Sequence, residues 1–282
     1  PLTHERLTGL RPFTERTVND HLDELLSGPR PADLVTGLTW DVPALVLLEL
    51  LGIPKEDVSQ VKQWATSRIV LTWGLPTDEE QIALCQSAVD YFNYAQDLVA
   101  HKMREPVDDY VSDLVRTRAG DDSKATIHEI AAVCFNLLFA GHETTSSGAV
   151  NMFKAVLADR QLWDSIVSGQ TRAADVVEET LRLDPPVQSW RRRALTDVVL
   201  DGVPIPAGAR LFLVFAAANR DPRRFSEGDQ LICGRANAAQ HISFGAGPHF
   251  CLGAPLARME LDVMLQRVAA RPRRMALVPG QQ

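Results

Sequence analysis

One cysteine, Cys251, lies in a glycine-rich stretch, FGAGPHFCLG, at positions 244–253. Glycines allow backbone conformations with positive φ and let a flat partner lie against the chain. A helix is predicted to begin near Ala254, and the positive end of a helix dipole stabilises a thiolate. The stretch therefore suits a thiolate metal ligand on rigid backbone, and a buried structural cysteine is the alternative.

A second polar group, AGHETTSS at positions 140–147, interrupts a long apolar pattern that contains no proline. A Thr-x-x-Glu capping pattern precedes it and predicts a helix over 127–158, long enough to cross a domain. Thr144 can donate to the carbonyl of Ala140, four residues back, and such a bond tends to bend a helix. Small residues and an acid beside an alcohol suit a helix passing over a flat cofactor. The alternative is a kink with solvated polar residues.

Both stretches resemble signatures of the haem-thiolate monooxygenases, the cytochrome P-450 family. The family pattern Phe-x-x-Gly-x-His/Arg-x-Cys-x-Gly is filled at each fixed place by Phe244, Gly247, His249, Cys251 and Gly253. The family pattern Ala/Gly-Gly-x-Asp/Glu-Thr is filled by Ala140, Gly141, Glu143 and Thr144. The resemblance implies a mainly α fold with a small β portion and a long central helix over haem.

The resemblance also implies roles within the cysteine stretch. Cys251 would be the iron ligand, and His249 would hydrogen-bond a haem propionate. Phe244 would pack beside the sulfur. Gly245 and Gly253 would belong to the same cofactor-binding loop.

On the long helix, the resemblance implies a small pocket for dioxygen at Ala140 and Gly141. It implies that Glu143 and Thr144 deliver protons. His142 occupies the variable place of the pattern. It could be a second iron ligand, but we expect a helix histidine that faces away.

Two further residues are candidate propionate contacts. The family places an arginine five residues before the aspartate of a hairpin, and five residues before Asp197 is Arg192. Strand alternation puts Arg192 opposite its two arginine neighbours, so only one of the three should reach the haem. His4, near the start of the first helix, is the other candidate, against an exposed helix histidine. Thr8 stands where the family has an arginine.

Glu179 and Arg182 are three residues apart and so share one face of a predicted helix. An ordinary surface ion pair is one interpretation. In the family, the Glu-x-x-Arg pair is buried near the cysteine loop, which implies a role in folding.

The remaining pattern predicts the other elements. Asp41 is a candidate N-cap, and Gly52 ends the apolar run that follows it. Short strands are expected between Val187 and Leu213. Helices are predicted at 1–27, 33–53, 54–73, 77–104, 108–118, 171–184 and 255–270. We expect one haem-binding domain over 1–282, incomplete at both ends because family members are longer.

Composition excludes several classes of protein. The net charge of −7 argues against a nucleic-acid binder. The apolar runs are shorter than the roughly 18 residues of a membrane span, so no membrane partner is expected. The four cysteines form no Cys-x-x-Cys pair, and free thiols suit a reducing cytoplasm.

The function implied by the resemblance is that of a soluble, bacterial-type monooxygenase. It would use haem b and dioxygen to hydroxylate or epoxidise a small organic substrate. Electrons would come from a ferredoxin or flavodoxin with an NAD(P)H-dependent reductase. A peroxide-driven peroxygenase of the same fold and a non-catalytic haem-binding remnant are the alternatives.

Overall fold

The computed structural model describes residues 2–271 and 275–280. Helices dominate this part of the chain, as predicted, and the strands are short. The helices are α1 His4–Ser27, α2 Val42–Leu51, α3 Val58–Trp73, α4 Asp78–Arg104, α5 Tyr110–Arg118, α6 Ile127–Ala158, α7 Arg160–Val167, α8 Ala173–Leu183, α9 Phe215–Ala218 and α10 Ala254–Ala270. The strands are β1 Ser189–Arg193, β2 Val198–Leu200, β3 Val203–Ile205 and β4 Arg210–Val214.

The described chain divides into two compact units. The first comprises residues 2–150 and 252–271, and the second comprises 151–251 and 275–280. The single domain over 1–282 stays a prediction. No described helix is long and apolar enough to cross a lipid bilayer.

Helix α2 forms part of the apolar core of the first unit. Eight of its ten residues are buried, and Glu49 is the exposed one. Gly52 ends the helix in the left-handed region, with φ 66°, which confirms its predicted role. A Cβ at Gly52 would lie 2.0 Å from Oδ2 of Asp109, which forms a buried ion pair with Lys102.

The chain before α2 differs from the single helix predicted over 33–53. A π-helical turn, Val35–Thr39, comes first, and α2 begins only at Val42. Asp41 occupies the N-cap position, but its side chain makes no capping hydrogen bond. It pairs instead with Lys62 of α3. The Asp41 carboxylate therefore forms an ion pair with another helix in place of the predicted capping hydrogen bond. Sequence spacing does not reveal such a partner.

Helices α1 and α10 pack together although they lie at opposite ends of the chain. Apolar side chains such as Val18 and Leu265 are fully buried on these helices. Three ion pairs join the two: Arg11 with Asp262, Glu15 with Arg267, and Asp23 with Arg271.

Helix α6 has the bounds that its sequence predicts. The hydroxyl of Thr126 accepts a hydrogen bond from the Glu129 amide, and the Glu129 carboxylate accepts one from the Thr126 amide. This reciprocal pair satisfies two backbone donors that the first turn leaves unpaired. The predicted capping box is thus confirmed.

The second unit contains two antiparallel strand pairs, β1 with β4 and β2 with β3. It also contains α7, which was not predicted. Asp159 caps this helix by accepting from the amides of Gln161 and Leu162. Trp163 and Ile166 then bury its apolar side.

Candidate functional site

The cysteine loop, residues 244–251, is closed by hydrogen bonds within its own backbone. The amide of Cys251 donates to the carbonyl of Phe244 at 2.9 Å, so the two ends of the loop meet. Gly245 and Gly247 have φ of 73° and 75°, in the left-handed region that favours glycine. This confirms the expectation that these glycines supply positive φ. The loop therefore holds the cysteine on a defined backbone.

Cys251 is an exposed cysteine, so the alternative of a buried structural cysteine does not describe it. Cys134 shows the contrast, because it is fully buried and burial raises the pKa of its thiol to about 12. Within the cysteine loop, the ring of Phe244 lies 6.3 Å from that of Phe250. The Phe250 side chain is 51% exposed.

A buried arginine on α8 anchors the segments that precede the loop. Arg182 is fully buried and donates to both carboxylate oxygens of Glu179, each at 2.8 Å. It also donates to the backbone carbonyls of Asn219, Gly228 and Gln230. The pair is thus a buried network rather than a surface ion pair, which agrees with a role in folding.

Glu179 has two further donors in this network. Arg235 donates from Nε at 3.1 Å and the amide of Ile232 at 3.0 Å. Burial alone would raise the pKa of Glu179, but the hydrogen bonds from Arg182, Ile232 and Arg235 outweigh it and lower the pKa. The carboxylate is therefore held in its charged form.

Asn219 connects this network to the cysteine loop. Its backbone carbonyl accepts a hydrogen bond from Arg182. Its side chain accepts a hydrogen bond from the amide of Ile242 and donates one to the hydroxyl of Ser243. Ser243 in turn donates to the carbonyl of Leu181 on α8. Since Ser243 immediately precedes Phe244, the position of the loop depends on this chain of hydrogen bonds.

The predicted propionate contacts lie on exposed parts of the chain. Arg192 lies opposite Leu211 in the β1–β4 pair, and its guanidinium donates to the carbonyl of Arg191. His249 ends a short 3₁₀ turn and is exposed. His4 is the first residue of α1 and is also exposed. Their contacts with a cofactor remain predictions.

The donors of the second unit fit a haem group. Cys251 offers an exposed thiol for iron, and Arg192 and His249 offer exposed donors for carboxylates. Phe250 and Phe212, the latter 61% exposed, offer apolar surface for a macrocycle.

On α6, the predicted dioxygen and proton residues lie near the middle of the helix. The Thr144 hydroxyl donates to the Ala140 carbonyl at 2.6 Å, so the predicted bond to the preceding turn is confirmed. A Cβ on Gly141 would lie 3.2 Å from Leu47 of α2, so the glycine permits close helix packing. The half-buried Glu143 accepts a hydrogen bond from Thr66 of α3 at 2.9 Å.

His142 packs against the segment before α2. Its Nε2–H donates to the Trp40 carbonyl at 2.9 Å, and the two rings meet edge to face. Its Nδ1 is buried without a partner among the described residues. Burial, reinforced by the charge of Lys62, lowers the pKa of His142 to about 4. The imidazole thus has a packing role, as expected for a histidine that faces away.

His142 should make the protein less stable in mild acid. Its pKa of about 4 in the folded state lies below the unfolded value of 6.5, so the unfolded chain binds the proton more readily. The contribution of the neutral His142 imidazole to the free energy of unfolding is fully present above about pH 6.5. It is lost as the pH drops toward 4, which costs roughly 3 kcal/mol at most.

Urea unfolding of wild type and His142→Phe between about pH 7 and pH 5 measures this effect. We expect a smaller loss of unfolding free energy in the variant. The same change at the exposed His101 should leave the wild-type pH dependence intact. Equal pH dependence in wild type and His142→Phe would contradict the assignment.

The contacts of Arg235, Thr66 and Asn219 were not predicted from the sequence. Each acts on a partner far away in the chain: Arg235 on Glu179, Thr66 on Glu143, and Asn219 on the residues before the cysteine loop. No fixed spacing marks such contacts. For Arg235 the sequence offers one local signal, because this residue lies in a polar segment, residues 234–240, ahead of the cysteine loop.

Comparison with known proteins places these features in a family. A family model described as Cytochrome P450 matches residues 173–271. The chain is 36% identical to vitamin D(3) 25-hydroxylase of Pseudonocardia autotrophica, with 99% of the chain and 71% of that protein covered. It is 34% identical to cytochrome P450 monooxygenase PikC of Streptomyces venezuelae, with 95% and 63% covered.

Solved structures agree with this assignment. Cytochrome P450 CREJ, in complex with (4-ethylphenyl) dihydrogen phosphate, superposes with a TM-score of 0.89 at 36% identity. The match covers 94% of the chain and 66% of that protein. The haem domain of CYP116B5 from Acinetobacter radioresistens has the same TM-score at 30% identity and covers 95% of the chain. That match includes 65% of the domain.

The chain belongs to the cytochrome P450 family. The predicted family and fold are thereby confirmed. Cytochromes P450 bind haem b and use dioxygen, and the relatives above are named as a hydroxylase and a monooxygenase, which are oxygen-incorporating oxidoreductases. The chain spans 63% of the length of PikC and 64% of that of CYP105Q4 from Mycobacterium marinum.

Proposed function

We propose that the protein is a haem-thiolate monooxygenase that inserts one atom of dioxygen into a small organic substrate by hydroxylation or epoxidation. The observation that carries this proposal is the exposed thiol of Cys251 on a closed glycine loop. When bound, haem would supply the oxygen activation, since a thiolate ligand favours O–O cleavage. The protein supplies ligation, orientation and protons.

In this proposal, the cysteine loop and three basic side chains hold the haem. Cys251 would ligate the iron, Phe244 would pack beside the sulfur, and the loop glycines would let the ring approach the backbone. His249, Arg192 and His4 would bind the two propionates. A guanidinium is well suited to this because its planar fork matches a carboxylate.

The residues at the middle of α6 would hold dioxygen and deliver protons to it. Ala140 and Gly141 keep the helix surface small where dioxygen is held. Glu143 carries a proton on its carboxyl group, and the Thr144 hydroxyl orients and relays it. Burial raises the pKa of Glu143 from its ordinary value, which favours the protonated form that a proton donor needs.

The proposed partners follow from this chemistry. A ferredoxin or flavodoxin with an NAD(P)H-dependent reductase supplies electrons, and the substrate is a small organic molecule. The acidic net charge of −7 supports the absence of a nucleic-acid partner. The described residues contain no disulfide, which supports a reducing cytoplasm as the location.

Thr144→Ala should uncouple electron use from product formation. The variant lacks the hydroxyl that donates to Ala140 and relays protons, so reduced oxygen should leave as peroxide. We expect product per electron to fall about tenfold or more, since proton transfer by a positioned side chain contributes roughly 10²–10⁴-fold to a rate. Product and peroxide are measured against NAD(P)H consumed, with a ferredoxin and its reductase as the electron source.

Thr144→Ser is the matched control, because serine keeps the hydroxyl and can make the same bond to the preceding turn. It should retain most of the wild-type coupling. A Thr144→Ala variant with the wild-type product yield per electron would contradict the proposed proton relay.

The peroxygenase alternative is tested by turnover with peroxide alone. Peroxide already supplies protons and electrons, so an enzyme that depends on it would not need the Glu143–Thr144 pair. We expect faster turnover with the redox partner than with peroxide. Haem binding without turnover in either assay would favour the non-catalytic remnant.

A further inference from the structure

Thr66 meets the carboxylate of Glu143 from the neighbouring helix. Its hydroxyl on α3 donates to Oε1 of Glu143 on α6 at 2.9 Å, across 77 residues of sequence. Thr66 is the hydrogen-bonding partner found for this carboxylate within residues 2–271 and 275–280. The orientation of the Glu143 side chain therefore depends on a residue outside the α6 pattern.

The two cations of α3 that lie nearest to Thr66 in sequence are engaged elsewhere. Lys62 pairs with Asp41 and lies 5.5 Å from the centre of the Trp40 ring. Arg68 lies over the rings of two α6 phenylalanines, at 4.1 and 4.2 Å, and donates to the side chain of Asn136 at 2.8 Å. Within the part of the chain that the structure describes, Glu143 is thus held by a neutral hydroxyl and not by an ion pair.

The neutral contact from Thr66 affects the pKa of the Glu143 carboxyl, which must give up and regain a proton. Burial raises the pKa of Glu143, and the hydrogen bond from Thr66 lowers it. A cation in its place would hold the carboxylate ionised more strongly. A single neutral hydroxyl contact orients the group with only a modest net contribution, so the carboxyl can also leave it.

We propose that Thr66 is a positioning residue for proton delivery, which orients the Glu143 carboxyl through this hydrogen bond. The inference rests on the proposed function, because it gives Glu143 the task of carrying protons on α6. It adds Thr66 of α3 to the predicted acid–alcohol pair of Glu143 and Thr144 on α6.

The first test is an infrared titration of the haem-loaded protein. The C=O stretching band of a protonated carboxyl reports Glu143, and its absence in Glu143→Gln assigns it. Thr66→Val keeps the shape of the side chain but removes the donor, so the pKa of Glu143 should rise. Thr66→Ser keeps the donor and should restore the wild-type titration. Thr72→Val removes another exposed α3 hydroxyl and should change nothing.

The second test follows coupling in the same variants. Thr66→Val should lower product per electron about threefold to tenfold, as expected for the loss of one hydrogen bond. The pH at which coupling falls should move upward together with the infrared titration. Thr66→Ser and Thr72→Val should stay near wild type in both measurements.

The outcomes separate this inference from the proposed function. An unchanged Glu143 titration in Thr66→Val, with Glu143→Gln uncoupled, would overturn the role of Thr66 and leave the proton role of Glu143 standing. Normal coupling in Glu143→Gln would overturn that proton role and the positioning role with it. The inference is supported if Thr66→Val raises the pKa of Glu143 and lowers coupling while Thr66→Ser and Thr72→Val do neither.

Discussion

Replacing Cys251 with alanine should abolish the red-shifted carbon-monoxide band of the reduced, haem-loaded protein. A thiolate bound axially to haem iron donates electron density to the metal, and this ligation produces the band. Alanine provides no ligand, so the loss should be complete. The carbon-monoxide difference spectrum measures it directly, and the amount of haem that remains bound after gel filtration gives a second, independent measurement.

Cys85→Ala is the matched control for this experiment. Cys85 is also an exposed cysteine, and it lies on α4. Its replacement should leave the band at wild-type intensity. A wild-type band in Cys251→Ala would show that another residue ligates the iron, and a band typical of histidine ligation in the wild-type protein would contradict the assignment equally.

Arg182→Met should destabilise the protein by about 3–5 kcal/mol, the cost of breaking a buried ion pair by removing one partner. Methionine approximates the length of the stem but removes every donor. The buried Glu179 then loses its bidentate partner, and three backbone carbonyls lose their hydrogen bonds. Because whole domains are stable by only about 5–15 kcal/mol, this is a large fraction.

Urea unfolding curves measure this loss, and Arg160→Met provides the comparison. Arg160 forms an exposed i,i+4 ion pair with Asp164, so its replacement should cost less than about 1 kcal/mol. Glu179→Gln, which keeps the shape but not the charge, should also be strongly destabilising. An Arg182→Met variant within about 1 kcal/mol of wild type would rule out an anchoring role.

Local patterns predicted much of this fold. The bounds of α6 followed from a capping box and an uninterrupted apolar pattern, because both act within a few residues. The left-handed end of α2 at Gly52 followed for the same reason. The cysteine loop was recognised because its glycines and cysteine have fixed spacing.

The errors arose where a distant partner decides the outcome or where an element is too short to show a periodic pattern. Asp41 had the spacing of a cap, but Lys62 on another helix takes its carboxylate. Helix α7 is only eight residues long, too short for periodicity to stand out from its surroundings. The contacts of Thr66 and Arg235 join helices and loops that only the folded chain brings together.

The α1–α10 pair has a consequence for how the protein is made. Residues 11, 15 and 23 leave the ribosome roughly 250 residues before their partners at 262, 267 and 271. At about 5–20 residues per second, α1 waits on the order of 10–50 s for α10. During that time its apolar side has no α10 to cover it. We therefore expect the nascent chain to depend on chaperones until synthesis has passed α10, and to aggregate when translation stalls before it.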